Sequence, residues 1–393
     1  MPSSLPDILL QILGGLVAVL GGAAVIGTLL PLWRKEAWWI RIFDFPRLQI
    51  VGLAVLTLLG GLLLHFWDEG GWPGHAWMVL VALCAVYQFY RIAPYTPLMR
   101  KQVLDSTRPK TDRRRHLSMV VTNVLMYNRE SGRCLKVIED CNPDLILAVE
   151  TDQWWLDELK GLEKTHPYTA YAPLPNTYGL LFFSRLPLRD PQIRFLLDDD
   201  VPSFHGYVQL PEGGPEVRVH CLHPKPPAPA ESKTTTRRDA ELLLVGREIQ
   251  SHDGPTIVAG DMNDVAWSHT SELFRRLTRL LDPRIGRGLL PTFHADYPWL
   301  GWPLDHVFHS AHFKVAAIER LPHIGSDHFP IYLQLSYEPH DKAEQEAQAE
   351  EPDESDHEEA AEKIRMGFEE EDEEEEDEAE AARKGEPRTL PST

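Results

Sequence analysis

The sequence predicts a mixed α/β domain carried behind a set of membrane-spanning helices. Three observations carry that prediction. Residues 1–98 are mostly apolar, residues 116–337 alternate short β-type runs with helical stretches, and residues 338–393 are almost entirely polar. A chain of 393 residues has room for one full domain and its appendages.

The runs 8–33 and 48–67 carry no charged residue before Arg34 and after Arg47, respectively, and a third apolar run covers 77–90. A bilayer core takes about 20 apolar helical residues, so three spans are predicted, over 8–33, 48–67 and 75–93. A cleaved leader would need a basic start, and no Lys or Arg precedes Arg34. Gly14, Gly15, Gly21 and Gly22 suit close helix packing in lipid, and Trp38, Trp39, Trp72 and Trp77 suit the interface. Arg34, Lys35, Arg41 and Arg47 follow the first span, whereas the loop 68–75 has no Lys or Arg. Arg91, Arg100, Lys101, Arg108, Lys110 and Arg113 to Arg115 follow the third. Lys/Arg excess marks the cytoplasmic side, which places the first loop and everything after the third span inside. Residues 99–115 read as a basic juxtamembrane linker, a stop-transfer flank that also suits anionic headgroups.

The formal charge of -20 is uneven. Residues 338–393 hold 24 of the 59 Asp/Glu and 6 of the 39 Lys/Arg, which leaves 35 against 33 in the rest. The acidity therefore belongs to the tail and does not exclude an anionic substrate for the body. Like-charge blocks such as 369–378 repel themselves, so the tail is expected to be disordered and solvating, with a basic partner as the alternative. Cys84, Cys134, Cys141 and Cys221 are too few for a disulfide framework and lack zinc-site spacing.

Within 116–337, strands are predicted at 117–125, 145–149, 179–184, 217–222, 256–259, 304–308 and 329–335, and helices at 132–141, 153–164, 237–250 and 269–281. Polar residues fall at the strand ends. Asn123 lies near the end of the first, Glu150 ends the second and His223 follows the fourth. Asp261 and Asn263 follow the fifth, Asp305 opens the sixth, and Asp327 and His328 precede the seventh. This placement predicts one shared rim.

The segments TNVLMYN, PDLILAVE, HP after an apolar strand, VAGDMND, PLDHVF and GSDHFP stand in that order. Together they resemble the endonuclease/exonuclease/phosphatase superfamily, which includes DNase I, exonuclease III, neutral sphingomyelinases and inositol polyphosphate 5-phosphatases. The N-terminal spans resemble those of bacterial membrane-anchored members, which would place the chain in the inner membrane with its catalytic domain in the cytoplasm. The resemblance implies a four-layer αββα sandwich over 116–337 and a Mg²⁺- or Mn²⁺-dependent phosphoesterase acting on nucleic acid or a phospholipid headgroup. It implies that Asn123, Glu150 and Asp327 hold the metal, an oxygen donor set of the kind Mg²⁺ prefers. It further implies that Asp305 orients His328, that Asp261 and Asn263 position the attacking water and a phosphoryl oxygen, and that His223 contacts the phosphate or the leaving group. Either His328 or Asp261 takes the water's proton.

Two departures from the pattern bear on this. Asn176 and Tyr178 stand where DNase I has a Glu pairing the histidine equivalent to His223. PLDHVFHS replaces the Cys-Asp-Arg stretch of the 5-phosphatases, which argues against their usual substrates. Singly, Asn123, Asp261, Asn263 and Asp305 are ordinary turn residues, and it is the ordered set that points to catalysis. A zinc site from His220, His223, His306 and His309 would leave Glu150, Asp261 and Asn263 without work. Arg237, Arg238 and Asp239 read as a solvated first helical turn. The competing function is a catalytically silent membrane scaffold that binds partners through its acidic tail.

Overall fold

The computed structural model describes residues 5–66, 72–109, 112, 114–227 and 232–384. The chain divides between Met99 and Arg100 into two compact units. The first contains α1 (Leu5–Leu29), α2 (Trp38–Arg41), α3 (Arg47–Phe66) and α4 (Trp72–Ile92). Three stretches are long and apolar enough to cross a membrane: Leu5–Leu32, Arg47–His65 and Pro73–Tyr95. Large apolar side chains such as Leu9, Leu16, Leu59 and Val86 are exposed along them, a surface that suits lipid and not water.

The helices meet through small residues. Ala24, Ile50, Ala54 and Val81 form the centre, and Gly21 stands against Trp77 and Thr57. Of the four glycines expected at helix contacts, only Gly21 is at one. A Cβ at Gly14, Gly15 or Gly22 would meet nothing within 4 Å, whereas one at Gly60 would meet Val17. Two of the basic residues counted toward orientation are buried. Arg47, 2% exposed, donates to Gln88 Oε1 at 2.9 Å and pairs with Asp44 at 2.5 Å. Arg41 lies 3.6 Å from Glu36 and 3.7 Å from Asp44. Residues 67–71, which include the start of the loop without Lys or Arg, the Trp72 side chain, Lys110 and Arg113 lie outside the described residues.

Among the described residues, the second unit has eleven strands: β1 (His116–Asn123), β2 (Leu145–Val149), β3 (Tyr168–Ala172), β4 (Leu180–Ser184), β5 (Leu188–Phe195), β6 (Pro202–Gln209), β7 (Glu216–Leu222), β8 (Thr256–Asp261), β9 (Asp305–His309), β10 (Phe313–Arg320) and β11 (Ile331–Tyr337). They form a six-stranded sheet in the order β10-β11-β1-β2-β4-β3 and a five-stranded sheet in the order β5-β6-β7-β8-β9. Six helices accompany them: α5 (Ser131–Cys141), α6 (Gln153–Leu159), α7 (Thr236–Gln250), α8 (His269–Thr278), α9 (Lys342–Glu346) and α10 (Glu354–Lys384).

Strand alternation explains the layers. Met119, Val121, Leu147 and Val149 face Val219, Cys221, Ile257 and Ala259 in the core between the sheets, where the rings of Phe182 and Phe204 stack with centroids 4.0 Å apart. Their sequence neighbours point outward. Val120, Ile146 and Phe183 pack under Val137, Ile138 and Trp155 of α5 and α6. Val258 and Phe308 pack under Leu242, Leu273 and Phe274 of α7 and α8. Both faces of the central strands are covered, which is why they read as continuous apolar runs. The result is a four-layer αββα sandwich.

Four strands were not predicted: β3, β5, β6 and β10. β5 is a sheet edge whose residues are mostly exposed, broken by Asp190 at φ 48° and by Pro191, so its alternation is lost.

Part of the expected linker and the first part of the expected tail are built into the domain. Val103 is fully buried in the core between the sheets. Ser106 N donates to the Val315 carbonyl at 2.8 Å, and Gln102 Oε1 accepts from Asp282 N at 3.0 Å. Gln102, Val103 and Ser106 are thus bound to the domain. The tail, expected to be disordered from 338, is helical in α9 and α10. Gln345 donates to the carbonyls of Ala311 and Phe313 at 2.8 and 2.9 Å, and Ala360 and Ile364 join the core beneath α7 and α8. The composition hid an apolar stripe at i, i+4 spacing, and Arg276–Asp356 (2.8 Å) and His269–Glu359 (2.6 Å) supply opposite charges. Residues 385–393 lie outside the described residues. Deleting 351–393 is therefore expected to lower the unfolding free energy by about 3 kcal/mol or more, through lost apolar burial and a broken buried ion pair. A urea midpoint unchanged by the deletion would contradict this packing.

Candidate active site

The parallel pairs β1–β2 and β7–β8 point the ends of Asn123, Val149, Leu222 and Asp261 toward one rim. Local geometry then presents the side chains. Glu150 turns out of β2 with φ 57° and Asn263 out of the loop after β8 with φ 48°, left-handed conformations that need surrounding support. Gly260 has φ 147°, and a Cβ there would collide with the Leu222 carbonyl, so this position in the VAGDMND segment requires glycine.

Asn123 sits at the centre. Its Nδ2 donates to Glu150 Oε1 at 2.6 Å and to Asp261 Oδ2 at 3.0 Å. His328 lies between two carboxylates, with Nδ1 2.8 Å from Asp305 Oδ2 and Nε2 3.5 Å from Asp261 Oδ2. His223 Nε2 is 4.0 Å from the same Asp261 oxygen. Asn263 N donates to Asp261 Oδ1 at 2.9 Å, and Asn263 Nδ2 to the Pro224 carbonyl at 2.9 Å. Asp327 is held through its carbonyl, which accepts from Ala295 N at 2.6 Å, and lies near enough to act on the charges of Glu150 and His328. The structure thus brings together Asn123, Glu150, His223, Asp261, Asn263, Asp305, Asp327 and His328.

Burial dominates the electrostatics, and the partners decide its sign. Burial pushes the Glu150 carboxyl up to about 7, assisted by Asp327 and Asp261 and opposed by the Asn123 donor and His328. Burial alone would lower His328, but Asp261 and Asp305 raise it to about 10. Burial raises Asp261, yet His328, His223 and its donors bring it net below its ordinary value. His223, with no such excess of carboxylates, is pushed down to about 4 by burial, and among the described residues its Nδ1 has no hydrogen-bond partner. Asn176 and Tyr178 do not supply one. Asn176 Nδ2 donates to the Asp200 carbonyl at 3.0 Å, and the Tyr178 ring lies 5.6 Å from the imidazole centroid to centroid.

The donor set fits a divalent cation. Among the described residues no Lys or Arg pairs with Glu150 or Asp327, so a desolvated carboxylate lacks the charge that would offset its burial. The tighter geometric cluster of Asp261, Asp305 and His328 is a worse candidate, because both nitrogens of a cationic imidazole already face carboxylates. A second cluster, His205, His220 and Glu248, is also unsuited. Glu248 is bound by Arg194 at 2.6 Å and Arg218 at 3.2 Å, and the two Nδ1 atoms are hydrogen-bonded to each other at 2.6 Å. His306 and His309 are core histidines. Nε2 of His306 meets the Asp264 carbonyl at 2.8 Å and Nδ1 of His309 the Ser310 carbonyl at 3.0 Å.

These neutral histidines make the fold acid-sensitive. Burial pushes His205 and His309 down to about 4, His306 to about 3 and His220 well below its ordinary value. The unfolded chain then binds protons that the folded chain refuses as pH falls below about 6.5, so stability falls with it. Glu241, raised to about 8 by burial, and Glu150, raised to about 7, work in the opposite sense, but His223, lowered to about 4, adds to the four histidines that outnumber them. The thermal midpoint is expected to drop clearly between pH 6.5 and 5.0. An unchanged midpoint would mean that these histidines protonate within the fold.

Several residues at the site escaped sequence reasoning. Ser326 Oγ donates to the Asn123 carbonyl at 2.8 Å and accepts from His328 N at 3.0 Å, and its position inside GSDHFP was the available signal. The Phe293 ring lies 5.0 Å from that of His328, and no local signal announced it. Lys225, 3.0 Å from both Asp198 and Asp200, stands over the Tyr178 ring beside His223. Arg238 and Asp239 are not a solvated turn. Both are buried, and Arg238 donates to the Asn263 carbonyl at 2.8 Å.

Residues 120–328, just over half of the chain, match the sequence pattern described as the Endonuclease/Exonuclease/phosphatase family. No curated protein matches the chain. Among solved structures, one of an endonuclease/exonuclease/phosphatase from Beutenbergia cavernae is 18% identical, with a TM-score of 0.44 over 57% of this chain and 72% of that one. The human Nocturnin catalytic domain with bound sulfate is 17% identical, with a TM-score of 0.46 over 56% of this chain and 94% of that one. Sphingomyelinase C from Streptomyces griseocarneus is 16% identical, with a TM-score of 0.42 over 56% and 99%.

Proposed function

Because the chain belongs to the endonuclease/exonuclease/phosphatase family, whose members are in general metal-dependent phosphoesterases, we propose that it hydrolyses a phosphodiester by in-line attack of water, anchored in a membrane by its N-terminal helices. The observation that carries this reading is the convergence of His328, Asp305 and Asp261 with the carboxylate–amide set of Glu150 and Asn123. Asn123, Glu150 and Asp327 would hold Mg²⁺ or Mn²⁺, which supplies charge neutralisation at the phosphoryl oxygens.

The protein's own groups divide the remaining work. His328, held as an imidazolium between two carboxylates, donates to the phosphoryl group as negative charge builds there. Asp261 is then the acceptor for the water's proton, since both ring nitrogens of a protonated His328 carry hydrogen and neither has a free lone pair to accept it. Asp305 fixes the imidazole. Asn263 orients the water or a phosphoryl oxygen. His223 is neutral and serves as a hydrogen-bonding partner of the phosphate.

A lipid phosphodiester is favoured over nucleic acid. A chain of rings leads outward from His328 through Phe293, His294 and Tyr297 to Trp299, with successive centroids 5.0, 4.8, 5.0 and 5.7 Å apart. Tyr297 is 50% exposed and Trp299 71%. Aromatic side chains of this kind favour the bilayer interface. The body is near neutral, without the broad basic field that long nucleic acid calls for. The full chain, reconstituted in lipid, is tested with Mg²⁺ against plasmid, single-stranded DNA, sphingomyelin, phosphoinositides and bis-p-nitrophenyl phosphate. Mg²⁺-dependent turnover of the last and of at least one lipid is expected, with loss on chelation. Inertness toward all five would leave the silent scaffold as the better account.

A further inference from the structure

We propose that the acidic C-terminal helix is a positioning element of the active site, acting through Lys363. This inference rests on the hydrolase reading for its kinetic consequence, and on geometry alone for the positioning itself. Lys363 is 6% exposed, and its Nζ lies 3.0 Å from Asp239 Oδ2. Asp239 is buried and in turn binds Arg238, with Oδ1 2.8 Å from Nη2 and 3.1 Å from Nε. Arg238 Nη1 donates to the Asn263 carbonyl at 2.8 Å, while Nη2 lies 3.2 Å from Asp264 Oδ2. The relay ends at the left-handed turn whose amide, Asn263 N, binds Asp261.

Two features make this a device rather than a chance contact. The first is the close approach of α10 to α7, since a Cβ at Gly367 would collide with the Ala240 side chain. The lysine is thereby held at a fixed depth against Asp239, with Ala360 and Ile364 packed alongside. The second is the charge balance. Asp239 also accepts from Thr270 Oγ1 at 2.6 Å and Thr235 Oγ1 at 3.3 Å, so its carboxylate is shared among a lysine, an arginine and two hydroxyls. Without Lys363, more of that carboxylate would turn to Arg238, and the grip of Arg238 on the Asn263 carbonyl would change. The left-handed Asn263 turn has a competing extended conformation, so a loosened carbonyl lets the Asp261–Asn263 segment leave its working position. A residue near the start of an acidic tail thereby reaches the reacting groups without touching them.

The test uses the full chain in lipid and the variants Lys363→Met, Lys363→Arg and Asn263→Ala. Hydrogen exchange at the 261–265 amides should speed up in Lys363→Met relative to those of β7 and return toward wild type in Lys363→Arg. On bis-p-nitrophenyl phosphate, Lys363→Met should lower kcat by about 10-fold or more with little change in KM, as lost support for a site residue commonly does. In the Asn263→Ala background the same substitution should cost almost nothing further. A lowered thermal midpoint with unchanged exchange at 261–265 and unchanged kcat would overturn the proposal, leaving a structural brace only. Multiplicative losses in the double variant would also overturn it. If the wild type hydrolyses none of the probes, the hydrolase reading fails, and the exchange measurement still decides whether Lys363 positions the turn. Should Lys363→Met not fold, Asp239→Asn, which keeps its shape and weakens the same link, replaces it in each arm.

Discussion

Replacing His328 with alanine is expected to lower kcat on a soluble phosphodiester by about 10²–10³-fold, the scale of losing one preorganised donor at a site of developing charge. Asp305→Asn should lose most of that too. The 2.8 Å contact to Nδ1 can survive as a hydrogen bond, but the charge that favours the imidazolium does not. The double variant should be little worse than His328→Ala alone, because the two residues work as one unit. Removing the imidazolium also leaves Asp305 and Asp261 as buried carboxylates without their shared cation, so His328→Ala should cost about 3–5 kcal/mol of stability. Turnover is therefore compared at a temperature where circular dichroism shows all variants folded. Independent, multiplicative losses in kcat would sink the pairing, and unchanged kcat in both single variants would sink the hydrolase reading.

Glu150→Gln is expected to abolish turnover and Mg²⁺ binding while leaving the metal-free fold as stable as before or more so. The sign follows from the direction of the shift. A carboxyl raised to about 7 in the fold costs stability progressively as pH rises from its ordinary value to about 7, and in full above that, because the unfolded chain ionises it first while burial disfavours the charge in the fold. At pH 8 in a chelator the neutral amide removes that cost, a gain of about 1–3 kcal/mol. Mg²⁺ should then raise the thermal midpoint of the wild type, through binding to the folded state alone, and leave that of the variant unmoved. Calorimetry showing wild-type Mg²⁺ affinity in Glu150→Gln would remove Glu150 from the metal site.

Much of the catalytic domain was legible because both faces of its central strands are buried. Seven strands announced themselves as short apolar runs, and β2 fell at the residues expected of it. The edges were not legible, since a strand like β5 packs on one side and carries Asp190 and Pro191 where the pattern should alternate. The site was legible in its components for a related reason. Chemistry placed at strand ends leaves polar residues at fixed offsets from apolar runs, as Asn123, Glu150 and Asp261 illustrate. Their protonation states were not. Three buried histidines of the domain, His223, His306 and His328, come to about 4, 3 and 10, and nothing in their sequence neighbours separates them. What separates them is the balance of charge the fold brings against each ring, with carboxylates raising His328 and the Arg284 guanidinium adding to burial in lowering His306.

By itself the sequence determined the three apolar helices, the layered α/β domain and the ordered residues from Asn123 to His328, all of which follow from local pattern and spacing. Only the tertiary structure decided that the imidazole of His328 is shared between Asp305 and Asp261, that Arg41 and Arg47 are buried rather than flanking charges, and that the first part of α10 packs on the domain. Each of these depends on residues far apart in the chain meeting in a region from which water is excluded. There a single opposite charge outweighs the average composition of a segment, which is why net charge called the tail disordered while Lys363 and Asp239 hold its helix in place.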